Sequence, residues 1–468
     1  MQLDRQAAQI SMLMEKHSAQ IAMLLDKIAE LEARLNKNSR NSNKPPSSDG
    51  LQKKPRQKPA FPRKKGKKSG GQAGHRGKTL EMVSTADHIN SLLPSQCACG
   101  QNLDKSSGKV VETRQVFDLP EPKLEVTEHR KLACICPSCG GYNEGKFPAD
   151  VRAHVQYGTG VQALVVLLNV AFKLPLNKIQ SLFSDLYGYA INDSTIIKAT
   201  QKCHEQLATS EQIIKKKLLG SLVVHFDETG MRIAGKLQWL HTACSKAFTY
   251  LFVHPKRGKD ALEDEESILP DFTNWAVHDC WRSYFNFAQC LHAICGAHIL
   301  RELQALKEKE IQWASWFKRY LLALYKLSDQ GKSALSPAQQ QKAFKVFDTI
   351  WKYADQIEPQ PQKTKGKRGR PKATKGRNLL IRLKEHQDAL LAFAIHQEVP
   401  FTNNEGERDL RPAKTKQKVS GCFRTCKGAQ IFARILGFVA TTRKQKRSVF
   451  DELKMVFSGN TFLTLEKN

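Results

Sequence analysis

The chain has 468 residues, of which 40% are hydrophobic, and a formal net charge of +29. This length predicts about three domains, and the apolar content is high enough to form hydrophobic cores, which argues against a wholly disordered chain. The longest nearly apolar stretch, residues 161–172, is interrupted by Gln162 and Asn169 and is shorter than the ~20 residues of a membrane-spanning helix, so no membrane partner is predicted.

The positive charge is concentrated in three stretches. Residues 36–78, 363–377 and 408–447 contain 14, 8 and 12 Lys and Arg residues, and their only acidic residues are Asp49 and Asp409. Such basic stretches favour nucleic acid as a partner, because phosphate contacts release condensed counterions. Solvated basic linkers are the alternative. The first residues form no apolar signal region, so we expect a cytoplasmic protein whose twelve cysteines bind metal or are buried, without a disulfide framework.

Residues 1–35 carry an apolar heptad repeat. Isoleucine at positions 21 and 28 and leucine at positions 24 and 31 occupy the a and d positions that favour a parallel two-stranded coiled coil. A single amphipathic helix packed on its own chain is the alternative. Residues 36–80 are rich in Asn, Ser, Pro, Gly and Lys, which predicts a disordered basic linker.

The next region, residues 81–150, has the cysteine spacing of a zinc-binding domain. The four predicted ligands form two pairs, Cys97 and Cys99, then Cys136 and Cys139. Four thiolates suit a tetrahedral structural zinc. The first pair has one intervening residue, which is fewer than usual, and Cys134 is a possible substitute ligand. Residues 110–119, between the pairs, have a strand-like sequence. Reduced core cysteines or a site that has lost its metal are the alternatives.

Residues 151–218 are predicted to be helical. Three short segments, with a tight turn at 187–192, fit either a helix-turn-helix DNA reader or a plain helical bundle.

Strand-like segments then cluster around two aspartates. Asp227 lies at the end of the run SLVVHF, and Asp279 follows NWAVH. Two further strand-like segments and a charged helical segment lie between them, which predicts a ribonuclease-H-like sheet with the two aspartates on adjacent strands. Magnesium prefers oxygen ligands, and a pair of ions can activate the attacking oxygen and stabilise the leaving one in phosphodiester chemistry. We expect two Mg²⁺ or Mn²⁺ ions, with Asp227 bridging them.

Glu407 is predicted to complete the set. It lies near the start of a helix that opens behind two asparagines, and Glu405 would point to a different helical face. Glu228 is expected to alternate to the other side of its strand. Arg408 and Arg411 are three residues apart, share a helical face and are predicted to contact phosphates.

The segment between Asp279 and Glu407 contains a predicted helical insertion that ends in a basic run. Arg368 and Arg370 in RGRP resemble an AT-hook, whose arginines enter a narrow minor groove. A basic loop that contacts only the DNA backbone is equally compatible. Cys295 and His298, three residues apart, could bind metal or pack in the core.

The chain resembles the insertion-sequence-66 family of bacterial transposases. The matching segments occur in order along nearly the whole chain: NSRNSNKPPSSDG, GGQAGHRGK, the paired cysteines, HFDETG, VHDCW, CGAHILREL, KRGRPKATKGRNLL, VPFTNNEGERDLRP and KVSGCFRT. The resemblance implies an Asp-Asp-Glu transposase whose triad falls on Asp227, Asp279 and Glu407. It also implies a coiled-coil N-terminus, a zinc-binding domain, a helical region and a catalytic core interrupted by a helical insertion. The CAC spacing departs from the family pattern.

The expected fold is therefore multidomain α+β, with a ribonuclease-H-like α/β core. The expected domains are a coiled coil (1–35), a linker (36–80), a zinc-ribbon-like domain (81–150), a helical domain (151–218), the first part of the core (219–305), the insertion (306–398) and the last part of the core with a tail (399–468). The expected function is metal-dependent cleavage and joining of insertion-sequence DNA by a homodimer or higher oligomer at the bacterial nucleoid, with small accessory proteins as possible partners. A nuclease that cuts without joining and a DNA-binding regulatory factor are the alternatives.

Overall fold

The computed structural model describes residues 2–35, 80–104, 108–361 and 373–465. The chain divides into two compact units. One contains Met1–Phe61, Val151–Ser181 and Ile191–Asn468, and the other contains Pro62–Asp150 and Leu182–Ala190. Among the described helices, none is long and apolar enough to span a membrane.

Helix α1 (Gln2–Leu35) covers the predicted heptad segment. Its a- and d-position side chains are exposed: Ile21 by 57%, Leu24 by 58%, Ile28 by 51% and Leu31 by 46%. Self-association would cover this exposed apolar stripe of the 34-residue helix. The structure contains one chain, so the coiled coil stays a prediction. The predicted linker, apart from residue 80, lies outside the described residues.

The smaller unit contains a short hairpin in which β1 (Ala133–Ile135) pairs antiparallel with β2 (Tyr142–Glu144). The second cysteine pair lies in the connection between these strands. The strand expected at 110–119 is not formed. Val110, Val111 and Val116 are 85–98% exposed, and the segment pairs with no strand in the described part of the chain, so its β-prone side chains have no surface to pack against.

Four helices follow: α2 (Thr159–Val166), which continues into a π-helical turn at Leu167–Ala171, α3 (Leu176–Tyr187), α4 (Asp193–Gln206) and α5 (Ala208–Leu219). Helices α2, α4 and α5 pack against the C-terminal helices of the chain. An ion pair of 2.7 Å between Arg434 and Glu211 and a hydroxyl hydrogen bond of 2.9 Å between Ser210 and Thr461 tie them together.

The larger unit is built on a five-stranded mixed sheet in the order β5-β4-β3-β6-β7. Strands β3 (Val223–Ile233), β4 (Lys236–Cys244) and β5 (Thr249–His254) form an antiparallel meander, and the one-turn helix α6 (Lys259–Leu262) follows it. The chain then returns to the other side of β3, where β6 (Trp275–His278) and β7 (Leu291–Ile294) run parallel to it. The sequence correctly predicts that the strand before Asp279 lies beside the strand that carries Asp227.

The segment predicted as an insertion is helical and shares a core with the sheet. Helix α7 (Gly296–Lys307) precedes it and lies almost wholly in the predicted first part of the core. The elements of the insertion are α8 (Gln312–Leu327), α9 (Pro337–Ile357), α10 (Lys375–Glu385) and α11 (Gln387–Ile395). Their buried apolar side chains, including Trp313, Phe317 and Phe347, form one cluster with residues of β6 and β7. The insertion is therefore anchored on the β7 edge of the sheet by burial of apolar surface.

The chain then crosses back over the sheet as α12 (Asn404–Ser420), α13 (Cys426–Lys444), α14 (Val449–Phe457) and α15 (Phe462–Leu465). Helix α12 packs on β3 and β4, and α13 packs on β5. Buried Asp409 of α12 accepts hydrogen bonds from Thr249 of β5 and Lys444 of α13, both at 2.6 Å. This network fixes α12 across the sheet, directly above Asp227.

Candidate active site

Asp227 and Asp279 lie at the same level of the sheet. The parallel register pairs Val223 with Trp275 and His225 with Val277, and two residues further along each strand come Asp227 and Asp279. Side chains two residues apart on a strand share a face, so Asp227 lies on the same face as His225. The two aspartates are therefore neighbours, with Asp227 in the middle of β3 and Asp279 directly after the carboxyl end of β6.

Helix α12 is held against this edge of the sheet by Asn403, the residue before its first turn. The buried amide of Asn403 donates from Nδ2 to the carbonyl oxygen of Phe226 at 2.8 Å and accepts at Oδ1 from Nδ1 of His225 at 2.8 Å. Burial lowers the pKa of His225, so its ring is neutral, and the amide partner assigns the proton to Nδ1. The helix start is thus bonded to the residues that immediately precede Asp227.

Gly406 lets the helix approach the strand closely. A Cβ atom at this position would lie 3.2 Å from Cβ of Asp227 and 3.2 Å from Oδ1 of Asn403. Both distances are tighter than ordinary van der Waals contact, so a larger residue would push α12 away from β3. Gly406 therefore determines how closely α12, and with it Glu407, approaches Asp227 on β3.

Of the two glutamates, Glu407 is the one whose charge reaches Asp227. Its carboxylate is among the groups that raise the pKa of Asp227, and it pairs with Arg301 at 3.3 Å and with Arg411 at 3.9 Å. Glu405 pairs instead with Arg408 at 3.2 Å. This placement agrees with the choice of Glu407 on helical-face grounds.

Glu228 is closer to the site than strand alternation suggests. Its buried carboxylate pairs with Arg257 at 2.6 Å and accepts a hydrogen bond from the Tyr284 hydroxyl at 2.6 Å. The same guanidinium lies 3.8 Å from Asp279, and Glu228 contributes to the raised pKa values of both aspartates. Buried Glu228 and partly exposed Arg257 therefore form an ion pair that borders Asp279.

Two aromatic residues after Asp279 complete this side of the site. Tyr284 is buried, stacks on His278 with ring centroids 4.5 Å apart and is bonded to Glu228, so it is not available to stack on a base. Trp281 is partly exposed, donates its backbone N–H to Asp279 at 3.0 Å, and has the Arg257 guanidinium 4.2 Å from its ring centroid. Sequence reasoning missed Arg257, whose partners lie 22 to 29 residues away in sequence.

The electrostatics of the carboxylates suit a cation. Burial, then Glu228 and then Asp279 raise the pKa of Asp227 well above its usual value, and burial and Glu228 raise the pKa of Asp279 to about 6. Within the described residues Asp227 forms no ion pair with a basic side chain. A divalent ion held by Asp227, Asp279 and Glu407 would offset this repulsion, and oxygen ligands of this kind fit Mg²⁺ or Mn²⁺.

A second group of ligand atoms adjoins Glu407. Three ligand atoms lie within 4.8 Å of one another: Cys295 Sγ, a ring nitrogen of His298 and a carboxylate oxygen of Glu407. In the described part of the chain, the carboxylate oxygens of Asp227, Asp279 and Glu407 do not lie this close together. Cys295 follows β7, in register with Asp279 after β6, and its N–H donates to the carbonyl of His278 at 2.9 Å. Asp227 in the middle of β3, Asp279 after the end of β6 and Cys295 after the end of β7 thus lie side by side on three parallel strands.

The two cysteine pairs of the smaller unit form two separate tight turns. In the first, Gly100 adopts a φ of +89° and donates to the carbonyl of Cys97; in the second, Gly140 adopts a φ of +69° and donates to the carbonyl of Cys136. Hydrogen bonds from Cys99 and Cys139 lower the pKa of the Cys97 and Cys136 thiols, which favours the thiolates that bind zinc. Each cysteine pair therefore has the turn and the thiols of a zinc knuckle. Among the described cysteines, the sulfurs of the two pairs do not lie within 4.8 Å of one another.

The predicted DNA-binding arginines fall into two groups. Arg408 and Arg411 lie on α12 with side chains exposed by 63% and 70%, beside Glu407. Arg368 and Arg370 lie outside the described residues.

Comparison with known families defines the class of protein. The family model described as "Transposase IS66 family" matches residues 154–431, more than half of the chain and all of the site above. The model described as "zinc-finger binding domain of transposase IS66" matches residues 94–140, and a family of unknown function matches residues 2–81. No curated protein matches the chain.

The chain is thus of the DNA-acting transposase class. It belongs to the IS66 family, which confirms the resemblance drawn from its sequence motifs.

Proposed function

We propose that this protein binds the ends of a bacterial insertion sequence and catalyses metal-dependent DNA strand cleavage and strand transfer, with Asp227, Asp279 and Glu407 as its catalytic carboxylates. The observation that supports this best is the meeting of three separate elements at one edge of the sheet. The register brings Asp227 and Asp279 together, and Asn403 and Gly406 bring α12 with Glu407 onto them.

The strand order supports a ribonuclease-H-like core. An antiparallel meander followed by two strands parallel to its first strand is the arrangement expected for that core, and the helices α8 to α11 interrupt it before Glu407. The first strand is central, so Asp227 lies between β4 on one side and the end of β6 on the other. That position suits a carboxylate shared between two ions.

Two divalent ions bound by these carboxylates would activate an attacking oxygen and stabilise a leaving oxygen on phosphorus. The protein residues have their own tasks. Asn403 positions Glu407, the Glu228–Arg257 pair holds the segment after β6, and Arg408 and Arg411 offer exposed cations to the phosphates that flank the scissile bond.

The remaining domains are proposed to organise the DNA. The exposed apolar stripe of α1 would join two chains so that two element ends are held together, and the cysteine pairs would bind a structural zinc. The basic segments, including Arg368 and Arg370, would contact the DNA backbone or an A·T-rich minor groove. We propose the bacterial cytoplasm, at the nucleoid, as the site of action, with small accessory proteins as further partners.

The test compares Asp227→Asn with Asp271→Asn, a matched change at an exposed acid in the same unit. Labelled element ends are incubated with Mg²⁺ or Mn²⁺, and preprocessed 3′ ends are supplied in a second reaction. Asp227→Asn should bind the ends like wild type in a gel-shift assay but lose cleavage and joining, while Asp271→Asn keeps both. Cleavage by Asp227→Asn would refute the assignment, and cleavage without joining by the wild type would identify a nuclease.

A further inference from the structure

We infer that Cys295, His298 and Glu407 form a binding site for a borderline-soft divalent cation such as Zn²⁺. This site is separate from the cysteine pairs of residues 94–140 and shares Glu407 with the all-carboxylate site. The ligand atoms lie within 4.8 Å of one another in the folded chain. A tetrahedral zinc with bonds of 2.0–2.3 Å places its ligand atoms about 3.5 Å apart, so the side chains need to approach by about 1 Å.

The backbone holds the three ligands at the starts of two helices. Cys295 is the residue before α7, His298 lies in the first turn of α7, and Glu407 lies in the first turn of α12. The N–H of Asn403, which precedes α12, donates to Cys295 Sγ at 3.2 Å, and the N–H of Gly296 donates to the carbonyl of Phe401 at 2.8 Å. These bonds cross-tie the two helix starts.

His298 has a free coordination position. Its Nδ1 is buried and has no hydrogen-bond partner within the described residues, which is a costly state for a polar atom in a protein interior. A neutral imidazole whose proton is on Nε2 carries at Nδ1 the lone pair that a metal needs. A core-packing role alone would leave this nitrogen unsatisfied.

The donor set selects the cation. One sulfur, one nitrogen and one oxygen suit Zn²⁺ and other borderline metals, whereas Mg²⁺ prefers oxygen ligands. Three protein ligands leave the fourth tetrahedral position for water. Arg301, 3.3 Å from Glu407, is the group that a bound cation would displace from that carboxylate.

Occupation of this site has a consequence that rests on the proposed function. Glu407 cannot serve two metals freely, so Zn²⁺ held by Cys295 and His298 would draw its carboxylate away from Asp227. We therefore expect Zn²⁺ to inhibit Mg²⁺-dependent cleavage through this site.

The test measures zinc per chain in the full-length protein by elemental mass spectrometry after equilibration with Zn²⁺ and removal of free metal. Cys295→Ala and His298→Gln should each contain one zinc fewer than wild type. Cys203→Ala, which removes an equally buried thiol on α4, should match wild type. Glu407→Gln changes a side chain that is 25% exposed and should fold normally, and it should bind the second zinc more than about 10-fold more weakly, because even outer-shell changes cost 10-fold or more.

A cobalt(II) titration provides a second measurement. In wild type and in Cys203→Ala, Cys295 should add thiolate-to-cobalt charge-transfer absorption to that of the cysteine pairs. Cys295→Ala should show only the absorption of the cysteine pairs. If Cys295→Ala is insoluble, His298→Gln and Glu407→Gln decide the outcome. Equal zinc content in wild type and the folded variants would overturn the inference.

Cleavage assays separate this inference from the proposed function. Zinc should inhibit cleavage by wild type and inhibit Cys295→Ala at least 10-fold less strongly. If wild type binds one zinc more than Cys295→Ala and His298→Gln but cleaves no DNA, the transposase mechanism is refuted and the metal site is retained. If cleavage depends on Glu407 but wild type and the variants bind the same amount of zinc, only the metal site is refuted.

Discussion

Asn403 offers the sharpest test of how the site is assembled. Its buried amide makes two hydrogen bonds of 2.8 Å, to His225 and to the carbonyl of Phe226. Asn403→Ala leaves both partners buried without a bond, and each unsatisfied polar group costs about 1–3 kcal/mol. We therefore expect the free energy of unfolding of the core to fall by about 2–4 kcal/mol.

The same change should impair catalysis more than DNA binding. Without the amide, α12 loses its tie to β3, and a displacement of about 1 Å of Glu407 would lower the cleavage rate by about 100-fold. Urea denaturation monitored by tryptophan fluorescence gives the stability, and cleavage of labelled ends with a parallel gel shift gives the rate and the affinity.

Asn404→Ala is the matched control, since Asn404 is the exposed neighbour in the same helix. It should change stability by less than about 0.5 kcal/mol and leave the cleavage rate near that of wild type. The reasoning is refuted if Asn403→Ala is as stable and as active as Asn404→Ala.

Four further predictions follow from the site and the helices. Arg257→Ala should destabilise the core by about 3–5 kcal/mol, because it leaves the Glu228 carboxylate buried without its cation, and differential scanning calorimetry against the exposed-site variant Arg408→Ala would measure this. The folded-state pKa of Asp279 is about 6, above its usual value near 3.8, so in metal-free protein this group destabilises at neutral pH and the penalty shrinks as pH falls from 6 toward 3.8. Asp279→Asn should therefore raise the melting temperature more at pH 7.5 than at pH 4.5. Mg²⁺ should stabilise wild type and not Asp279→Asn in the same melts, and equal shifts would contradict the metal site. Deletion of residues 1–35 should convert an oligomer into a monomer by light scattering, and an unchanged mass would exclude α1 as the oligomerisation element.

The local sequence was sufficient for the parts of the fold that depend on periodicity and order. The heptad repeat predicted the helix at residues 2–35, and the β-prone runs before Asp227 and Asp279 predicted the strands that lie side by side in the sheet. The helix and strand predictions succeeded because they rest on repeats of 3.5 or two residues that the backbone itself imposes. The choice of Glu407 over Glu405 by helical-face spacing stays a prediction.

Residues 110–119 show where local preference fails. Their β-branched side chains suit a strand, but no partner strand is present among the described residues, and β-propensity has meaning only on a packed, paired surface. Alternation along β3 likewise placed Glu228 away from the site, whereas Arg257 and Tyr284, supplied by distant segments, draw its carboxylate toward Asp279.

The sequence by itself determined the family, the basic segments and the order of elements, because each of these follows from residue types and their spacing. It also supplied the three carboxylates as a prediction. Tertiary structure alone decided that Asn403 fastens α12 to β3, that Gly406 sets the approach to Asp227, and that His298 and Cys295 meet Glu407. These contacts join residues between 100 and 180 positions apart in sequence. Packing of the insertion on the β7 edge and of α12 across the sheet brings them together, and no local pattern encodes that distance.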